Sequence, residues 1–258
     1  MKTKNILLLI LPILFITLFI TSCYDGWNNI EGNYNVQSEM REFPAFNRVY
    51  NEGTFEVFVV HDSAYYAVIE AEGNLIPAIA TLIKGSALEI TTKDDLKNHY
   101  PMKIFVHTPD IHGIFLNGSG LIQAQEIETE FLELGISGSG HLEFQGNADI
   151  LFASISGSGA GIVDVVADEV NGSIDGSGII QFFGEASRSD FNISGSGEIR
   201  AYELPVDTCE AEISGSGNMY VNVQNLLKAK ISGSGSVYYL GNPVVDSEIS
   251  GSGSVIHP

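Results

Sequence analysis

Several residue types are scarce in this chain, and each scarcity excludes something. Of 258 residues only two are cysteine, Cys23 and Cys209, so a disulfide framework cannot hold the fold. Lys and Arg number 12 against 32 Asp and Glu, a formal net charge of −20. That balance excludes nucleic acid as a partner, because a phosphate backbone needs a basic surface. It also argues against charge-driven docking on anionic lipid; acidity speaks mainly of solubility and self-repulsion. The one tryptophan is Trp27. The six histidines (61, 99, 107, 112, 141 and 257) show no metal-ligand spacing to one another or to a Cys or acid cluster. His107 and His112 stand five apart across Pro109, a chance spacing.

Catalytic signatures are missing too. Ser and Gly are abundant, but no G-x-S-x-G elbow occurs. The stretch Gly157-Ser158-Gly159-Ala160-Gly161 lacks the spacing and the following helix of a dinucleotide fingerprint. The calcium nonapeptide G-G-x-G-x-D is absent as well, which leaves solvated surface charge as the reading of acids on neighbouring repeats. No catalytic residue, metal or cofactor is implied.

What is present begins with a leader. Lys2 and Lys4 precede a run of 15 apolar or near-apolar residues, Ile6 to Ile20, broken only by Pro12 and Thr17. The run is short for a membrane-spanning helix and fits a signal h-region. It ends on Ile20-Thr21-Ser22-Cys23, which resembles the bacterial lipoprotein signal: residues 1–22 are removed and Cys23 is acylated to become the new N-terminus. Cys209 then has no partner. It falls on the inward parity of a strand and is expected to be a buried small hydrophobe. Residues 23–45 show no period and are expected to form a flexible tether with a reach of ~25 Å.

The dominant feature is SGSG or a close variant, eight times over. The copies start at Asn117, Ser137, Ser156, Asp175, Ser194, Ser214, Ser232 and Ser250, in steps of 18 to 20 residues. Each follows one aliphatic residue, from Leu116 to Ile249. A constant period of this size means one unit stacked on itself. Polar and apolar residues alternate on both sides of each copy, as in Cys209-Glu210-Ala211-Glu212-Ile213, which means strands. No room remains for crossover helices. Each repeat is therefore one coil of a parallel β-solenoid, and eight coils stacked ~4.8 Å apart span ~34 Å. With each Ile inward, both Ser point outward and the first Gly inward. Stacked Ser hydroxyls can then form ladders up the outside.

Two outward columns support this register. One holds Glu212, Lys230 and Glu248; the other holds Glu210, Lys228 and Asp246. Lys thus lies between acids in both, as stacking favours. A third column holds Arg200, Tyr220 and Tyr238. It is a candidate platform for a sugar or a partner protein, or else an aromatic ladder that stabilises stacking.

Residues 46–116 are β-rich but less regular. Strands are expected at 54–59, 67–71, 87–92, 102–108 and 111–116. The spacing in Asn74–Ile83 suits a short helix capped by Asn74 and confined by Pro77 to a turn or two.

The opening FNRVYNEGTFEVFVV, the phrases NLIPAIATLIKGSALEI and MKIFVHTPDIHGIFLNGSG, and the SGSG array together resemble the head-GIN auto-transporter adhesin family, common in Bacteroidetes. The resemblance covers about residues 46–256. It implies an exported, often lipidated protein with a right-handed β-solenoid fold, and supplies no catalytic residues. The expected organisation is a signal peptide (1–22), a tether (23–45) and one all-β solenoid domain (46–258), in which 46–116 form irregular first coils that cap the stack.

The function expected is a non-catalytic outer-membrane lipoprotein that presents a rigid scaffold for adhesion to a glycan or protein ligand. It would contact the membrane through its N-terminal lipid. The uncovered last copy would allow homo-oligomers by head-to-head pairing. Two alternatives stand beside it: a β-helical polysaccharide lyase-like enzyme, with an acid pair and a basic residue near Arg200–Tyr238, and a periplasmic sensing or assembly module.

Overall fold

A computed structural model describes residues 29–258. The leader, Cys23 and Trp27 lie outside the described residues. The body is a parallel β-solenoid. Six consecutive coils are built from long, bending strands: Leu121–Gly138, His141–Gly157, Ala160–Gly176, Ile179–Gly195, Glu198–Gly215 and Asn218–Gly233. Each pairs in parallel with the next. A further coil is formed by Ser236–Leu240 and Val244–Gly251, and Ser254–Ile256 stacks on Ser236–Leu240 to begin another.

The register is the one the sequence predicts. Leu116, Ile136, Ile155, Ile174, Ile193, Ile213, Ile231 and Ile249 are successive partners, and the first SGSG residues stack beside them. Period-2 alternation turns every second side chain inward, so the core is a narrow column of aliphatic and aromatic residues running the length of the stack. Cys209 sits within it, buried as expected. Burial pushes its thiol up to about 12, so it is inert as a nucleophile.

The roles within SGSG differ from the expectation in one respect. Both serines are exposed, but it is the second glycine, not the first, that faces the core. The first glycine turns the corner with φ between +122° and +138°, and this left-handed turn shifts the alternation by one residue. The bonds that run up this corner are backbone ones. In each coil the N–H of the second serine donates to the carbonyl of the glycine one coil below, at 2.8–3.1 Å from Ser139 to Ser252.

The N-terminal region departs from simple order. Arg48–Asn51 and Glu56–His61 form a coil that lies directly beneath Gly113–Gly118 and Leu121–Gln125. Beneath that coil lie Ala87–Thr92 and Lys103–Thr108. The chain thus lays down one coil, passes below it, then climbs over it to start the regular array. Asn51-Glu52-Gly53 occupies the corner position of Ile-Ser-Gly: Asn51 pairs with Leu116, and the Gly53 carbonyl accepts from Gly120 N–H at 3.1 Å.

Three antiparallel pairings close this end. Tyr66–Glu72 runs against Lys103–Thr108, Val36–Glu42 against Tyr66–Glu72, and Ile79–Lys84 against Ala87–Thr92. Two expectations are corrected here. Residues 29–42 are not tether: Asn29–Glu31 pairs in parallel with Asp95–Lys97, and Val36–Glu42 forms an edge strand. They lack a readable period because edge residues are exposed on both faces. The helix expected over 74–83 is one 3-10 turn at Ile76–Ala78 followed by the strand Ile79–Lys84. Pro77 blocks extension of the turn. Asn74 caps nothing there and donates instead to the Glu31 carbonyl at 2.7 Å.

Candidate binding surface

The three predicted platform residues do form one outward column. Arg200 is the partner of Tyr220, and Tyr220 of Tyr238. Their geometry divides them, however. Tyr220 and Tyr238 are stacked, with centroids 5.0 Å apart and planes 9° apart. Each ring therefore spends a face on the other and offers solvent mainly its edge and hydroxyl. At this pair the aromatic ladder is the better description.

The surface with a shape of its own lies one step away. The coil step from Ser194 to Ser214 is 20 residues, followed by two steps of 18. The surplus goes into one bulge, and a one-residue slip in the opposite sense follows between Val206 and Thr208. Ala201 pairs with Val221, yet the next pairing is Pro205 with Asn222, so Tyr202, Glu203 and Leu204 have no counterpart on the following strand. On the preceding side, the register also slips between Gln181–Arg200 and Phe183–Glu203. A bulge of this kind re-aims side chains locally. Leu204 drops into the core, while Tyr202 and Glu203 lean outward. The Asn222 amide donates to the Tyr202 carbonyl at 3.1 Å and holds the bulge in place.

Under it opens a groove of about 230 Å³ lined by Gln181, Phe182, Glu198, Arg200, Tyr202, Glu203 and Tyr220. The Tyr202 and Tyr220 rings meet in a T-shaped arrangement, at 5.5 Å and 80°, so Tyr202 is not part of the parallel stack. Arg200 Nε donates to Glu198 Oε1, and this bond raises the guanidinium above its ordinary value. Burial raises both the Tyr202 and the Tyr220 phenols, so their hydroxyls stay protonated and able to donate. Tyr238 stands outside the groove. Tyr202, Glu203 and Gln181 are the residues that sequence reasoning missed; the 20-residue step was the signal that could have found them.

A second groove, of about 290 Å³, follows the charged columns. Lys228 bonds Glu210 at 2.9 Å and Lys230 bonds Glu212 at 3.0 Å, as the register requires. Among the described residues, no group of three or more His, Cys, Asp or Glu is placed to hold a metal ion. Nor is any helix there long and apolar enough to cross a membrane.

Comparison with known proteins places this architecture. The chain is similar to a "putative lipid binding protein" from Parabacteroides distasonis, at 26% identity and a TM-score of 0.82, over 89% of this chain and 100% of that one. A "putative adhesin" from Parabacteroides merdae shares the fold at 21% identity and a TM-score of 0.83, with the same coverage. Another from Parabacteroides distasonis does so at 22% and 0.78, over 88% of this chain and 99% of that one. No curated protein matches the chain significantly. Residues 45–243 match the family model described as "Putative auto-transporter adhesin, head GIN domain", and the chain belongs to that family.

Proposed function

We propose that this is a non-catalytic, lipid-anchored protein of the cell envelope that presents its β-solenoid as a rigid scaffold for adhesion. The observation that carries the reading is the family match over most of the solenoid, joined to a hydrophobic leader that ends on Ser22-Cys23. Cys23 carries the lipid and tethers the body to the outer membrane. An exposed strand supports self-association: Val244–Gly251 is exposed along its whole length among the described residues, and two copies related by a two-fold axis would cover each other's edges.

The test has separate arms. Metabolic labelling with a clickable fatty acid should mark the wild-type protein and not Cys23→Ser. Protease treatment of intact cells should trim the protein if it faces outward. Binding of the purified protein to glycans and matrix proteins tests adhesion, and a sedimentation series tests self-association. An unlabelled wild type removes the lipid anchor, and absence of binding to every ligand class removes the adhesive role.

One observation favours a second reading, a carbohydrate-cleaving enzyme. The groove brings Glu198 and Glu203 together with Arg200. The chemistry of the three weighs against it. Arg200 is paired, and its guanidinium is held even further from neutrality, which makes it a poor base for β-elimination. Cleavage of an acidic polysaccharide that vanished in Arg200→Ala would establish the enzyme instead.

A further inference from the structure

We infer that the groove beneath the Tyr202 bulge is a binding site for a neutral saccharide. The inference rests on the adhesive reading above and gives it a place and a ligand class.

The lining selects by charge and by shape. Glu198 and Glu203 flank a single cation, Arg200, and Glu198 already holds that cation. A ligand carboxylate, sulfate or phosphate would meet an unpaired acid with no free positive partner. A ligand ammonium could pair with Glu203, but only in a small groove shared with the Arg200 guanidinium, which repels it. A hydroxyl-rich neutral ligand has neither conflict, because each hydroxyl both donates and accepts. Planar side chains with paired donor or acceptor atoms suit vicinal hydroxyls; here Arg200, Gln181 and the two carboxylates supply them. The Tyr202 ring supplies a flat apolar face for the C–H side of a sugar ring.

The way the site is built argues that it is more than surface relief. Two of the other coil pairs run almost without interruption, and the bulge at Gln125–Glu126 inserts a single extra residue. Here three residues of one coil have no partner on the following coil, and two of them, Tyr202 and Glu203, line the groove. The backbone around them is rigid, with Leu204 anchored in the core and the Tyr202 carbonyl bonded to Asn222. A preformed site on a rigid scaffold loses little ordering entropy on binding. Its volume suits one or two sugar units, so a single site will be weak. Many copies on one cell would bind a polymer tightly by avidity.

The experiment is a glycan array carrying neutral, uronic, sialylated and amine-bearing oligosaccharides at high density. It is read with the full-length protein in detergent and repeated with soluble oligosaccharide by calorimetry. Neutral glycans should bind. Tyr202→Ala and Gln181→Ala should each weaken binding about tenfold or more, the scale of one lost ring face or one well-placed hydrogen-bonding pair. Tyr202→Phe should keep most of it, and Tyr238→Ala, outside the groove, should change it less than about twofold. Circular dichroism of each variant separates loss of binding from loss of fold. Preference for acidic or amine-bearing glycans overturns the inference, as does neutral binding unchanged by Tyr202→Ala; either leaves adhesion standing at another chemistry or another place. Binding to proteins but to no glycan has the same consequence. Binding to nothing removes the inference and the adhesive role together.

Discussion

The two glycines of each corner have different reasons to be glycine. At the first, φ lies deep in positive territory, and a Cβ would strike the carbonyl oxygen of the glycine one coil below. At the second, the backbone is ordinary but the space is taken. A Cβ on Gly178 would come within 2.6 Å of Ile155 Cγ2. Gly176→Ala and Gly178→Ala should therefore each cost more than about 1 kcal/mol, the first through strain and the second through overpacking. Ser177, exposed between them, should tolerate Ala within about 0.5 kcal/mol. Urea melts of the three variants measure this, and equal effects would remove the distinction. Another residue-scale feature was invisible in the sequence. Glu72 is fully buried beneath the closed end. Its carboxylate accepts from Tyr34 N–H at 2.6 Å, from His99 N–H at 2.7 Å, and contacts His99 Nδ1 at 3.0 Å. Tyr34 is held at φ +60°, with its ring stacked 3.6 Å from the His99 ring. Burial raises the Glu72 carboxyl, but the two amides and the His99 ring together pull it below its ordinary 4.5. A depressed folded value stabilises the protein above the unfolded value, and that contribution fades as pH falls through the folded one. Acid should thus loosen the 29–35 and 97–100 segments, and Glu72→Gln should melt lower at pH 7 while losing less further stability at pH 3.5. Parallel melting curves for the two proteins would contradict this.

At the scale of the element, the period made the coils legible and its exceptions hid the rest. Constant spacing fixed which side chains face out, so the charged columns and the Arg200–Tyr220–Tyr238 column could be read without coordinates. Tyr202 could not, because three unpaired residues break the parity on which such reading depends. Asn51-Glu52-Gly53 escaped notice as a corner because Asn stands in the aliphatic column and the coil precedes the array in chain order but lies inside the stack. Residues 29–42 and 79–84 were misread for a different reason. They are edge strands at the end of the core, Ile79–Lys84 burying only Ile79, and edges carry little alternation. The charged columns make a prediction of their own. Lys230 bonds Glu212 in the coil below and feels Glu248 in the coil above; the bond to Glu212 chiefly raises its ammonium. Lys230→Glu would place three acids in a row, whereas Lys93, exposed and in no ion pair among the described residues, has no such column. The first reversal should lower the melting temperature more than the second, and the gap should narrow in 1 M salt as screening shortens to about 3 Å. Equal shifts in low salt would count against the column.

Among the described residues, the stack is closed at one end and leaves its last coil uncovered at the other. At the N-terminal end the edge strands are tied across the core by one side chain. Arg41 donates to the Ile79 and Ile76 carbonyls at 2.7 and 3.1 Å and to Thr81 Oγ1 at 3.0 Å. At the other end, Ile249 occupies the same column as Ile193 but is 45% exposed, where Ile193 is fully buried. In a solenoid each coil is stabilised chiefly by its neighbours, so a coil with one neighbour opens first. The same substitution should then have position-dependent consequences. Ile193→Ala removes a side chain packed from above and below and should cost about 2–5 kcal/mol, the range for a cavity in a well-packed core. Ile249→Ala removes one that is nearly half in water and should cost well under half as much. Hydrogen exchange should show the gradient directly, with amides of 244–256 exchanging fastest among the coil strands and those of the central coils slowest. If residues 244–256 were as protected as 179–215 in dilute protein, the last coil would have a cover that one chain does not supply. Protection that rose with protein concentration would identify that cover as a second copy.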